Sequence, residues 1–303
     1  MGEIKKLADI VVEARAKGRK KMAVAYGQDS HTLEAVYNAY QEGLVEPIIF
    51  GEKAVIEQIC AEHNIDASVF TIVDEKSDVK CVNLAVQAVV KGEADVLMKG
   101  LVSTDKYMRG ILNKEAGLFP PKGVLSHVSV IEMPVYPKLL IVSDIAVIPQ
   151  PDLAQKMKMI GYLANTANVL GIKTPKIACI APSELVAPKI PSSAEGALLA
   201  KMADRGQLGN VIVDGPLSLD VALFKEVAEH KKVKGAPIAC DPDCLLFPNL
   251  ESGNVFFKAS SHLCHGELAA MVVGTNKPCV LTSRGDSSQS KLYSIALACL
   301  SAK

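Results

Sequence analysis

The stretch KMAVAYGQDSHTLEAVYNAYQEGLVEPIIF, Lys21 to Phe50, decides the fold class. Lys21–Tyr26 is a short apolar run and predicts a buried strand. Ser30–Glu42 then places Leu33, Val36, Tyr37 and Tyr40 on one helical face. Pro47–Phe50 is a strand again. Outward from this unit the rhythm continues with a helix over Lys53–Cys60, a strand over Val69–Val73, a helix over Val79–Val90 and a strand over Asp95–Met98. Upstream, Met1–Lys21 reads as an amphipathic helix with Leu7, Ile10, Val11 and Ala14 facing in. Strands alternating with helices predict an α/β fold with a mostly parallel sheet. Buried parallel strands read as continuous apolar runs, and these do.

Beyond Lys99 a polar turn covers Gly100–Gly110, GLVSTDKYMRG, where Ser103 or Thr104 can cap a helix carrying Arg109. Gly117–Gly123 reads as a loop. Val124–Met133 and Leu139–Val147 alternate and look like paired strands. Asp152 caps a long helix to about Leu170. Ile177–Ile180 is a strand, Pro182–Ser193 a loop, Ala194–Asp204 a helix and Asn210–Val213 a strand. Gly266–Gly274 and Pro278–Leu281 return to strands before a last helix. The composition shifts near Pro120–Gly123 and Gly274 suggest two lobes, one of about residues 1–123 plus 274–303 and one of about 124–273.

Four passages share one form, a strand followed by a polar or glycine turn and then a helix. They are Asp95–Gly110, Val211–Leu223 (VIVDGPLSLDVAL), Cys244–Ser260 (CLLFPNLESGNVFFKAS) and Pro278–Lys291 (PCVLTSRGDSSQSK). A helix N-terminus offers free N–H groups and the positive end of the dipole, which suits an anion. In parallel sheets ligands bind outside the carboxyl ends of strands. Convergence of the four between the lobes would gather Thr104, Arg109, Asp214, Asn249, Asn254, Ser283 and Arg284. Two arginines there imply an anionic substrate. The plainer reading of Pro278–Lys291 is a capped turn with a surface arginine.

Composition excludes other classes. The 303 residues carry 33 basic and 33 acidic side chains, so no net charge draws the chain to nucleic acid or an anionic membrane. No apolar run reaches the roughly 18 residues that span a bilayer. The 8 cysteines are scattered, several in apolar runs, which predicts reduced thiols and a cytoplasmic location. Cys240, Cys244, His262, Cys264 and His265 fit no standard zinc spacing. His31 and His127 stand without a carboxylate partner in sequence. No GxGxxG fingerprint follows a strand, which argues against a nicotinamide dehydrogenase.

STDKYMR, DGPLSLDVAL, LLFPNLESGN and NKPCVLTSRG, in this order, resemble the signatures of the phosphate acetyl- and butyryltransferases. The resemblance runs from about Lys21 to Leu300. It implies two α/β lobes like those of isocitrate and isopropylmalate dehydrogenase, with the site in the cleft. It implies acyl-CoA plus phosphate giving acyl phosphate plus CoA, with CoA as substrate or product, no resident cofactor or metal, and a homodimer. A butyrate kinase is the implied pathway neighbour. The sequence looks more like the butyryl branch, because acetyl enzymes usually carry an extra tyrosine- and arginine-containing helix after the strand matching Val69–Val73. Here Asp74–Lys80 leads directly into the next helix. Arg109 matches a phosphate-binding arginine, and Ser283 and Arg284 match the serine and arginine of the reacting centre. Acetyl enzymes place an aspartate seven residues after that serine as base for the CoA thiol. This chain has Ser290 there, and Asp286 is the nearest carboxylate. A non-catalytic acyl-CoA or phosphate binding module is the reading from a different class.

Overall fold

The computed structural model describes residues 2–235, 238, 240–282 and 287–302. The chain forms two compact units. One comprises Ala8–Leu125 and the residues from Ala269 onward; the other comprises Ser126–Leu268 with the N-terminal residues through Leu7.

The first unit opens with α1 (Leu7–Ala16), β1 (Lys20–Ala25), α2 (Ser30–Gln41), β2 (Val45–Gly51), α3 (Lys53–Glu62), β3 (Thr71–Asp74), α4 (Asp78–Val90), β4 (Val96–Lys99) and α5 (Thr104–Leu112). Its helices begin where a short polar side chain captures a free N–H. Asp29 accepts from Thr32 N at 3.0 Å, and Ser77 and Ser103 cap α4 and α5. The inward stripe read from the sequence is real: Leu33 and Val36 are fully buried. Strands β2, β1 and β4 lie side by side and parallel, with Val24 opposite both Ile49 and Met98, and β3 extends the row beyond β2. The inner strands β1 and β4 are buried nearly throughout and apolar without alternation, whereas β3 at the outer end of the row is exposed at Thr71 and Asp74.

The other unit contains β5 (Ser126–Glu132), β6 (Leu140–Ser143), α6 (Leu153–Val169), β7 (Lys176–Ile180), α7 (Pro191–Asp204), β8 (Ile212–Leu217), α8 (Leu219–Leu223), α9 (Lys225–His230), β9 (Cys244–Leu246) and α10 (Leu250–His262). Strands β5 and β6 pair antiparallel, Ser129 opposite Val142, as the alternating runs predict. The order then runs β6-β9-β7-β8, all parallel. The chain returns to the first unit with β10 (Glu267–Val273), β11 (Cys279–Val280) and α11 (Ser288–Ser301). Strand β11 lies parallel to β4, Val280 opposite Met98, and β10 runs antiparallel beside it.

Several boundaries differ from the sequence reading, and three of the differences have a clear local reason. The run Leu139–Val147 stops as a strand at Ser143, because the Asp144 carboxylate takes the N–H groups of Ala146 and Val147 at 2.7 and 2.8 Å. The Asp214–Leu217 segment belongs to β8 rather than to a turn, with a register shift against β7 between Ala178 and Ile180. Pro216 donates no N–H, which the outermost strand of the order tolerates. Helix α7 starts at Pro191, three residues early, because proline at the first helical position lacks only a donor that would be unused. All eight cysteines are free thiols, six of them buried. Among the described residues, no helix is long and apolar enough to cross a membrane.

Candidate active site

Strands β7 and β9 end side by side at Ile180 and Leu246. Beyond these carboxyl ends the starts of α7 and α10 and the first turns of α6 surround a basin of about 640 Å³. Prolines 151, 182, 191 and 248 form much of its wall. Lys156 of α6 lines it but is only 5% exposed, and its ammonium bonds the carboxylate of Glu195 from α7. Removing either partner would strand the other charge in a poorly solvated place.

The FPNLESGN passage supplies α10 with three devices. Asn249 is the cap, its carboxamide oxygen accepting from Ser252 N at 2.9 Å. At Gly253 a side chain has no room, because a Cβ would lie 2.1 Å from the carbonyl oxygen of Asp144. Asn254 donates through Nδ2 to the carbonyl of Ile145 at 3.0 Å. The helix is therefore clamped to the turn after β6, and Asn249 is held at the rim of the basin.

Asp144 organises that turn. It is 1% exposed, and its carboxylate accepts from Ser126 Oγ at 2.7 Å and His127 N at 3.1 Å, besides the two N–H groups already named. Asp144, Lys156 and Glu195 escaped the sequence reading. The available signals were a carboxylate ending an apolar strand and a lysine whose helical neighbours Met159 and Ile160 are core residues.

Asp214 does not line the basin. It sits on β8, 8% exposed, and Oδ2 has no hydrogen-bond partner among the described residues. Burial pushes its carboxyl above the ordinary range, while the N–H groups of Ile238 and Gly215 pull the other way. A carboxyl raised in the fold holds its proton more tightly folded than unfolded. The stability this contributes is present in acid and is lost as pH rises through the raised value. In melting experiments between about pH 4 and 7, the Tm difference between Asp214→Asn and the parent should shift in the variant's favour as pH rises. A difference independent of pH would contradict this.

The second group of predicted residues lies on α5 in the other unit. Strand β4 ends at Lys99, and Gly100 passes so close to β1 that a Cβ would lie 2.4 Å from the Tyr26 carbonyl oxygen. Tyr107 points inward, fully buried, and donates to the Val280 carbonyl of β11 at 3.1 Å. Gly110 leaves space for Val82 of α4. These contacts fix the helix and leave Thr104 and Arg109 outside. The Arg109 side chain is 78% exposed and pairs with Asp105 at 3.1 Å, an open-surface pair that holds it only weakly.

Thus Thr104 and Arg109 share α5, Asn249 and Asn254 share the start of α10, and Asp214 lies on β8, away from the basin lining. Ser283, Arg284 and Asp286 lie outside the described residues. The flanking elements are described: β11 ends at Val280, and Ser287 caps α11 by accepting from Ser290 N at 3.0 Å. Ser290, where the acetyl enzymes would have their aspartate, is 6% exposed in the first turn of that helix. Among the described residues no three His, Cys, Asp or Glu side chains gather as metal ligands.

Comparison with known proteins adds a family model described as phosphate acetyl/butaryl transferase, which matches residues 6–83 and 79–299. A phosphate butyryltransferase from Clostridium acetobutylicum is 41% identical over 297 residues, covering 98% of each chain. A phosphate acetyltransferase from Thermotoga maritima is also 41% identical, over 291 residues, covering 96% of this chain and 98% of its own. Among solved structures, a branched-chain phosphotransacylase from Enterococcus faecalis superposes with a TM-score of 0.82 at 30% identity, covering 93% of this chain and 98% of its own. A 4-hydroxythreonine-4-phosphate dehydrogenase from Klebsiella pneumoniae shares the fold, with a TM-score of 0.56 at 13% identity and coverage of 92% and 98%.

Proposed function

We propose, from the premise that this chain belongs to the phosphate acetyl/butaryl transferase family and is an enzyme of phosphate acyltransferase type, that it transfers butyryl or a branched acyl group of similar length. The observation that carries the acyl preference is the direct passage from β3 to α4. Asp74 ends the strand, and Ser77 already caps the next helix, with no intervening element. The arginine-bearing helix usual in acetyl enzymes therefore has no counterpart at this point. The Thermotoga relative, equally identical to the clostridial one, favours acetyl as the second reading.

In the proposed reaction a phosphate oxygen attacks the thioester carbonyl carbon, the carbon–sulfur bond breaks, and the CoA thiolate leaves and takes a proton. Arg109 and Arg284 hold the phosphate and offset its charge. Ser283 donates a hydrogen bond to the developing oxyanion or thiolate. In reverse, Asp286 takes the thiol proton, a role worth roughly 10²–10⁴-fold. Thr104 and Asn249 supply further donors at helix starts, with Asn254 and Asp214 as supports. The scheme uses no resident cofactor. It is proposed to run in the cytoplasm, in a homodimer, with the acyl phosphate consumed by a butyrate kinase.

Thiol release from acetyl- to hexanoyl-CoA and isobutyryl-CoA, with and without phosphate, tests this reading. Phosphate-dependent release fastest with butyryl- or isobutyryl-CoA is expected. A maximum at acetyl-CoA would transfer the assignment to the acetyl branch. Release that ignores phosphate, or none at all, would leave an acyl-CoA or phosphate binding protein.

A further inference from the structure

We infer that the unit formed by Ser126–Leu268 and the N-terminal residues holds a second, separate site, which takes a small zwitterion, a free α-amino acid with an apolar side chain. It lies at the amino ends of the strands whose carboxyl ends carry the basin, and it stands independently of the proposed reaction.

Strand direction separates the two places. Strands β6, β9 and β7 run parallel, and the basin lies beyond the carboxyl ends of β7 and β9. A cavity of about 250 Å³ opens at the opposite end and shares no lining residue with the basin. Lys138, just ahead of β6, lines the cavity, and its ammonium is held by Asp241 and Asp243, just ahead of β9, at 2.7 and 2.6 Å. Glu132 lines it too, as the last residue of β5, which runs antiparallel to β6. The cavity is smaller than the roughly 300–1,000 Å³ of drug-sized sites, so its ligand is small.

The charges of the cavity select its ligand. The Lys138 charge is already offset by its two aspartates, but the ammonium groups of Lys5 and Lys6 meet no partner among the described residues. Glu132 accepts from Leu7 N through Oε2 at 2.8 Å, which fixes the carboxylate, and its Oε1 meets no partner among the described residues. Glu267 adds a second carboxylate to the wall. A phosphate or other plain anion would be drawn by the lysines and repelled by these carboxylates, and a plain amine would meet the reverse. An α-amino acid satisfies both, its carboxylate accepting from Lys5 or Lys6 and its ammonium donating to Glu132 Oε1. Its side chain finds an apolar wall in Met133, Pro134, Pro137 and the ring of Tyr136, which is fixed by the hydroxyl donating to the Pro242 carbonyl at 2.7 Å.

Titration calorimetry on the full chain provides the test, with L-methionine and two truncated analogues: 4-methylsulfanylbutanoate, which lacks the ammonium, and 3-methylsulfanylpropylamine, which lacks the carboxylate. The parent protein is expected to bind methionine and to bind each analogue at least about tenfold more weakly, the effect of losing one charge-assisted hydrogen bond. Lys5→Ala/Lys6→Ala alters two exposed side chains; it should weaken methionine about tenfold and leave the amine unchanged. Glu132→Gln keeps an acceptor for Leu7 N but loses the charge, so it should weaken methionine by a similar factor and leave the butanoate unchanged. The lysine variant decides alone if Glu132→Gln fails to fold. Saturating CoA should leave methionine affinity unaltered. Methionine that does not bind the parent, analogues that bind as tightly as methionine, affinity indifferent to a folded variant, or displacement of methionine by CoA would overturn the inference.

Discussion

Asp144→Ala should melt about 10 °C below the parent and lose most activity in what remains folded. The carboxylate is buried and holds four donors: one hydroxyl and the N–H groups of His127, Ala146 and Val147. Each buried donor left without an acceptor costs about 1–3 kcal/mol. The turn can relax to hydrate some of them, so a net loss of about 3–5 kcal/mol is the working figure. For a chain of this size that is roughly 2–4 °C per kcal/mol. The activity loss follows from geometry. The same turn carries the Asp144 and Ile145 carbonyls on which Gly253 and Asn254 seat α10. Asp144→Asn keeps an acceptor and should fall between the two. Calorimetry beside steady-state rates measures both effects, and an Ala variant melting within about 2 °C of the parent would remove Asp144 as organiser of the turn.

Arg284→Ala should reduce kcat/KM for phosphate about 10²- to 10³-fold, as expected for loss of a donor aimed at charge in the transition state. Arg284→Lys restores charge but not the paired geometry of guanidinium and phosphate oxygens, so it should recover only part of the rate. Rates with phosphate varied at saturating butyryl-CoA give the comparison. A loss below about fivefold in the Ala variant, less than one charge-assisted hydrogen bond is worth, would exclude Arg284 from the reacting centre.

What the sequence makes legible here is periodicity and caps. Val24, Ile49 and Met98 announce buried strands because a strand covered on both faces has no polar side. Ser103 and Asp152 announce helix starts because a free N–H must find a local acceptor. Asn249 and Asn254 stand out from their place after an apolar strand; the structure shows the first as a helix cap and the second as a clamp on a backbone carbonyl. Lys156 and Glu195 are 39 residues apart and pair across two helices. Nothing local in either helix encodes that meeting. Asp214 misled as a turn residue because Gly215 and Pro216 imitate a turn, whereas an edge strand accepts both.

The first unit is built from two separated stretches of chain, and this shapes its biosynthesis. On the ribosome β1 to β4 emerge early, yet the neighbour of β4 on its free side, β11, is nearly 180 residues further on. Until then the backbone of Leu97 and Met98 is an open sheet edge, and the Tyr107 hydroxyl lacks the Val280 carbonyl that accepts it. The other unit needs only a continuous stretch and the first few residues, all of which are available sooner. The nascent protein therefore completes its middle before its beginning, and the waiting edge of β4 is where a chaperone, or another unfinished copy, would engage it.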